Sequence, residues 1–184
     1  MVMLMSIAGA LNSFAACNVT NSTKWTYLGK FTITNYNIAN EKDYIPLKKG
    51  DKMYSPKGLD RKFSYKFMID VDMQGTGVTK DGKYIKLVST ASELEKKIFR
   101  YAYVGKITGE SGRELKSDYS VAVDKAVIPL GSILCIDGYG MRQADDTGTK
   151  IKGKHIDLFR LVTRKEAMKF GTKTDVQVSK EKKQ

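Results

Sequence analysis

The chain has 184 residues, 41% of them hydrophobic and 28% charged, with a formal net charge of +12 at neutral pH. These values suit one main domain with a proper core and exclude an intrinsically disordered chain. The charge predicts an anionic partner or surface, such as nucleic acid, acidic lipid or an acidic wall polymer. Because the lysines are spread out and not grouped with stacking aromatics, nucleic acid is disfavoured, and solvated surface charge is the default reading.

Residues 1–16 are almost wholly apolar or small and end in Phe14-Ala15-Ala16 before Cys17. They read as a secretory signal with a small-residue cleavage site, too short to span a bilayer and lacking a positive start, since no Lys or Arg precedes Lys24. Cys17 after two alanines also resembles the lipidated cysteine of bacterial lipoproteins, although Phe14 stands where a leucine-like residue is usual. Lipid anchoring through Cys17 and simple cleavage both stay open. Either would leave Cys135 without a partner, a buried small hydrophobe, and no disulfide framework is indicated.

After a polar linker at 17–24, the segment Trp25–Tyr36 alternates as a strand, with Phe31 and Ile33 on one side and Thr32 and Thr34 on the other. Residues 37–62 carry Pro46, Pro56, Gly50 and Gly58 and read as a long loop or insertion, a cleft wall or lid. Segments 63–72, 74–78 and 84–88 read as short strands, with Lys80-Asp81-Gly82-Lys83 as a hairpin signal. Thr90 and Ser92 can cap a helix whose apolar stripe is Leu94, Ile98, Tyr101 and Ala102, a core-packing face. Residues 105–117 read as a surface loop. Segment 118–137 returns to strand, broken by Pro129-Leu130-Gly131, and Gly138-Tyr139-Gly140 turns the chain into 141–144. Thr163, Glu166 and Gly171 delimit a helix over Arg164–Phe170. A last strand at 174–178 and a basic tail at 179–184 follow. Many short strands with two helices argue for a small, mainly β barrel with α crossovers, a sandwich being the alternative.

Three acids carry chemical interest. Asp146 precedes the turn-forming Thr147-Gly148, Asp157 sits between Ile156 and Leu158 where alternation points it away from a buried face, and Asp124 closes the strand-like Val121-Ala122-Val123. Carboxylates cut glycosidic bonds, yet an Asp beside a turn also caps amides and an Asp in a strand is commonly solvated. Other chemistries lack their residues. One His and two Cys are too few for a zinc site unless acids supply most ligands, no Ser lies in a nucleophile elbow, and Gly75 and Gly77 do not open a helix as a nucleotide loop would.

The ordered motifs Val121-Ala122-Val123-Asp124, Ile128-Pro129-Leu130-Gly131, Ile136-Asp137-Gly138-Tyr139-Gly140, Ala144-Asp145-Asp146-Thr147-Gly148, Ile151-Lys152-Gly153, Ile156-Asp157-Leu158-Phe159 and Phe170-Gly171-Thr172-Lys173-Thr174 closely resemble the 3D domain, named for three aspartates. The likeness covers roughly 120–178. More loosely, the stretch from Gly29 to Tyr36 and Gly75-Thr76-Gly77 resemble the companion half in the stationary-phase-survival muralytic proteins and the MltA-type lytic transglycosylases. The resemblance implies a six-stranded double-psi β-barrel over 25–178, an exported or envelope location, peptidoglycan glycan strands as partner, no cofactor or metal, and lytic transglycosylase activity. It sets the three aspartates on Asp124, Asp146 and Asp157, with Asp157 as the catalytic acid. It puts Thr34 and Tyr36 along the glycan groove. Asp146-Thr147-Gly148-Thr149-Lys150 departs from the family's Asp-Thr-Gly-Gly-Ala, losing a glycine and adding a charge.

Such an acid must be protonated near neutral pH, by burial or by a like-charge neighbour, for which Asp146 is the candidate, while Asp124 reads as fixing local hydrogen bonds. Thr147, Gly148 and Lys152 are the further candidate glycan contacts. His155, flanking the acid with Lys152, reads more readily as solvated surface, and Tyr139 as a stacking or core aromatic. A non-catalytic wall-binding barrel of the expansin type is the competing reading, and a water-using hydrolase a third.

Overall fold

The computed structural model describes residues 24–93 and 96–182. In chain order it holds β1 (Trp25–Tyr36), β2 (Ala39–Asn40), a 3-10 turn (Glu41–Tyr44), β3 (Met53–Tyr54), β4 (Phe63–Ser64), α1 (Tyr65–Gln74), β5 (Thr76–Val78), β6 (Tyr84–Glu93) and β7 (Lys96–Val104). Then come β8 (Ser120–Val123), β9 (Ile133–Ile136), β10 (Gly140–Asp146), β11 (His155–Phe159), α2 (Arg164–Phe170) and β12 (Lys173–Glu181). Among the described residues no helix is long and apolar enough to cross a membrane.

Alternating apolar positions drive the barrel. Phe31 and Ile33 of β1, Val121 and Val123 of β8, Leu134 and Ile136 of β9, and Ile156 and Leu158 of β11 are all buried and form one core with Val178. With a period of two, this turns the intervening Thr34, Ala122 and Asp157 to the opposite face. The strands close in the order β1-β11-β8-β10-β9-β12. The pairs β1·β11 and β8·β10 run parallel and the other neighbours antiparallel.

Between β1 and β8 the chain builds a second unit, the sheet β2-β5-β6-β7 packed on α1. Phe63, Phe67, Met68, Val71, Ile85 and Tyr101 form its core. Gly58 shows how tightly it closes. With φ at +95°, a Cβ there would lie 2.2 Å from the Tyr101 carbonyl oxygen, so any side chain forces the backbone apart. A third cluster, Phe159, Ile38, Ile107 and Leu115, with Val78 and Tyr84 against it, joins this unit to the outer face of the barrel.

The sequence reading of β1 and α2 agrees with the fold. Thr163 and Glu166 form a reciprocal capping box, and Gly171 ends the helix with a positive φ. Two segments differ. Residues 63–72, expected as a strand, are mostly α1, because Phe67, Met68 and Val71 share one helical face against the sheet. The helix expected at 90–102 is instead part of the hairpin β6·β7, whose strands satisfy each other's backbone. The C-terminal strand is longer than 174–178, and pairing with β1 and β9 draws residues 179–181 of the expected tail into β12. Cys135 is disulfide-bonded, where a free thiol was expected. The only other cysteine in the sequence is Cys17, which lies outside the described residues with the predicted leader 1–16 and linker positions 17–23.

Candidate active site

Parallel pairing of β1 with β11 sets Thr34 opposite Asp157. The Thr34 hydroxyl lies 2.5 Å from Asp157 Oδ1 and 2.8 Å from Nε2 of His155. Burial pushes the Asp157 carboxyl above the ordinary carboxylate range, and the Thr34 hydrogen bond and the nearby His155 oppose this only in part. Asp146 is not the neighbour that raises it. Its charge and hydrogen bond bear on Tyr36 instead, whose phenol is raised first by burial and then by Asp146.

Ala122 organises the two acids. It pairs with Asp157 on one side, through β11, and with Asp146 on the other, through β10. The backbones of the two aspartates are therefore two strand spacings, about 10 Å, apart, with only a methyl group between them. Asp146 Oδ2 accepts from the Tyr36 hydroxyl at 2.9 Å and Oδ1 from the Glu110 amide at 3.0 Å. The Tyr36 ring packs on Phe159, with centroids 5.3 Å apart, so its hydroxyl is aimed by aromatic packing.

A β-bulge separates Asp146 from Asp145. The β10·β8 register runs Gln143 to Ser120, Ala144 to Val121, then Asp146 to Ala122, leaving Asp145 as the extra residue. The adjacent carboxylates thereby part. Asp145 is buried and accepts from Ser120 Oγ at 2.7 Å, and the same hydroxyl accepts from the Lys116 amide at 3.0 Å. Ser120→Ala leaves the buried Asp145 carboxyl short of its donor, and the denaturant midpoint should fall by an amount equivalent to about 2 kcal/mol. An unchanged midpoint would remove the bulge anchor assigned to Ser120.

The remaining predicted residues are placed as follows. Asp124 accepts amides from Ala126 at 3.0 Å and Gly153 at 2.8 Å. These bonds hold its carboxylate below the ordinary range and tie the end of β8 to the turn before β11. Lys152 is exposed and its charge bears on Asp124, away from the acid pair. Thr147 and Gly148 continue directly from Asp146, and a Cβ on Gly148 would lie 2.7 Å from Ile151 Cγ1, so this turn closes on the Ile151 side chain. Tyr139 packs on Phe170, centroids 5.8 Å apart, and is not among the residues around the acids.

A cavity of about 450 Å³ opens beside Asp146, and Asp157 and Thr34 are not among the residues that line it. Tyr36 and Asp146 line it from the barrel, and Gln74, Thr76, Lys86 and Leu87 line it from the second unit. The expected insertion, 37–62, contributes Asn37 and Ile38, so the opposite wall comes mainly from the α1–β5 turn and β6. Sequence reasoning missed Gln74 and Lys86, which no local signal marks, noted Thr76 only within Gly75-Thr76-Gly77, and undervalued His155, whose i, i+2 spacing to Asp157 on a strand was the available clue.

Residues 119–180 match the model of the 3D domain family. The cell wall-binding protein YocH of Bacillus subtilis is 48% identical over 54 residues, 29% of this chain and 18% of its own length. YabE of the same organism, provisionally named a cell wall shaping protein, is 36% identical over 108 residues, 53% of this chain and 26% of its own. The chain thus spans about a quarter or less of these curated relatives. The lytic transglycosylase MltA of Escherichia coli superposes with a TM-score of 0.59 at 14% identity, covering 85% of this chain and 72% of that one. The same protein with bound chitohexaose superposes with a TM-score of 0.54 at 15% identity, covering 84% and 72%. Residues 119–180, with the three aspartates, are thus similar to the 3D domain family, set in a mainly β chain that shares the fold of MltA.

Proposed function

We propose that this chain acts on peptidoglycan as a lytic transglycosylase, cleaving the β-1,4 bond between N-acetylmuramic acid and N-acetylglucosamine and leaving 1,6-anhydro ends. The observation that carries the reading is Asp157, a half-buried carboxyl held above its ordinary range and hydrogen-bonded by Thr34, with Asp146 across Ala122 on the wall of a cavity large enough for sugar rings. Protonated Asp157 gives its proton to the leaving oxygen as the sugar develops oxocarbenium character. The resulting carboxylate then takes the proton of the muramyl C6 hydroxyl as that oxygen closes on C1, which regenerates the acid without a water nucleophile. Asp146, held by Tyr36 and the Glu110 amide, offers a fixed acceptor on the cavity wall for a sugar hydroxyl. Asp124 shapes the loop between them from outside.

The 3D domain match, the MltA fold, the chitohexaose carried by one MltA structure and the wall-related names of the relatives all support this substrate class. The two parallel pairs, β1·β11 and β8·β10, support reading the closed barrel as double-psi. The net charge of +12 suits an anionic envelope polymer, and no nucleic-acid role is proposed. Export through residues 1–16 belongs to the same reading. Anchoring through a lipidated Cys17 competes with a disulfide to Cys135, since one sulfur cannot hold both, and intact mass with and without reductant distinguishes them.

The name of YocH favours a second reading, a barrel that binds wall glycan without cutting it. Digestion of purified sacculi separates the two. Mass spectrometry of the soluble products should show 1,6-anhydro muropeptides. Reducing ends would replace the transglycosylase by a hydrolase, and sacculi bound but uncut would leave the binding module.

A further inference from the structure

His155 is the single histidine of the chain, and its Nε2 lies 2.8 Å from the Thr34 hydroxyl, which in turn lies 2.5 Å from Asp157 Oδ1. A threonine hydroxyl carries one proton, so it can donate to one of these neighbours and must accept from the other. With Asp157 ionised, Thr34 donates to the carboxylate and accepts from Nε2–H of His155. With Asp157 protonated, the carboxyl O–H donates to Thr34, whose own proton turns to the bare Nε2. No heavy atom has to move between the two arrangements. The parallel register fixes them, because Thr32 pairs with His155 and Thr34 with Asp157.

Taking Asp157 as the acid of the proposed reaction, we infer that His155 is its positioning residue, coupled to it through the Thr34 hydroxyl so that the protonation of one group sets the hydrogen-bond direction at the other. The surroundings leave this coupling little competition. On β8, the residues opposite β11 are Val121, Ala122 and Val123, none of which titrates. On β10, Asp146 is committed to Tyr36 and Glu110, and Asp145 to Ser120. On β1, Tyr36 is the other titratable group whose hydroxyl lies within reach of the Asp157 charge. Lys154, next in sequence to His155, directs its ammonium over the Phe31 ring at 5.9 Å, and Asp124 is held by Gly153 and Ala126.

Cationic His155 favours ionised Asp157, so removing it should let Asp157 keep its proton to higher pH. His155→Gln, which preserves a hydrogen-bonding side chain but cannot titrate, should move the alkaline limb of kcat/KM on sacculi upward by about one pH unit. An alkaline limb identical to that of the wild type overturns the coupling. A second measurement needs no activity. The ring signal of the one histidine, followed by NMR against pH, should change its midpoint in Asp157→Asn, and in a Thr34→Val background the same Asp157→Asn change should move it by a clearly smaller amount, the remainder being the direct interaction of the two charges. A response undiminished without the hydroxyl, or absent with it, overturns the relay. If the wild type leaves sacculi uncut, the proposed reaction fails, while the histidine titration still decides the coupling.

Discussion

Asp157→Asn is expected to lower kcat/KM on purified sacculi by about a thousandfold, the scale of a lost general acid, while raising the thermal midpoint at pH above the folded-state value of the carboxyl. The two effects share one cause. Burial lifts the Asp157 carboxyl above its ordinary range, so its folded-state value exceeds its unfolded one. Such a group binds protons more strongly in the folded chain, and the stability it contributes is complete at low pH and lost as pH rises through the folded value. Above that folded-state value the wild type therefore carries a half-buried charge that asparagine does not. The midpoint difference between the two proteins should close as the pH is lowered toward the unfolded value. Full activity in the variant would remove Asp157 from the acid role, and a midpoint difference independent of pH would remove burial as the source of its raised value.

Phe67→Ala should cost about 4 kcal/mol by the usual penalty for emptying a large aromatic site. Phe67 is fully buried on α1, its ring 5.7 Å from Phe63 and 5.9 Å from Tyr44 between centroids, and its Cζ would lie 3.2 Å from a Cβ on Gly77. The loss falls on the second unit, since the barrel core shares none of these residues. Gln74, Gly75 and Thr76, which end α1 and begin β5, form part of the cavity wall facing Tyr36 and Asp146. Glycan affinity should therefore fall although no acid has been touched. Urea titration by circular dichroism together with sacculus binding tests both halves. An unchanged urea midpoint contradicts the assigned core, and retained glycan affinity in the destabilised protein would mean that the second unit is no part of the substrate cleft.

Much of the barrel was legible because its signals are local. Alternation of Phe31 and Ile33 with Thr32 and Thr34 marks β1, and Thr163 with Glu166 and Gly171 marks both ends of α2. The second unit was less so. Phe63, Phe67, Met68 and Val71 have helical spacing, but the aromatic and β-branched content of the segment weighed toward strand. At 90–102, the capping signals of Thr90 and Ser92 competed with the period-two run Phe99, Tyr101 and Tyr103, and pairing with β6 selected the strand. Tyr101 and its two neighbours pack into the core of that unit. Local propensity yields when a neighbouring strand can take up the whole backbone.

The amino-acid sequence by itself determined the three aspartates and their order, the alternation that turns Asp157 away from the barrel core, and the aromatic and threonine partners on β1. The Thr147-Gly148 register picked Asp146 over its neighbour Asp145, but did not show how the two carboxylates would be parted. A bulge opposite Ala122 decides that, burying Asp145 on Ser120 and turning Asp146 to Tyr36. Nor did the sequence reveal that burial, and not Asp146, raises Asp157, or that His155 and Asp157 meet on one hydroxyl. These depend on β1 lying beside β11, a contact between residues more than 120 positions apart, which tertiary packing alone can make.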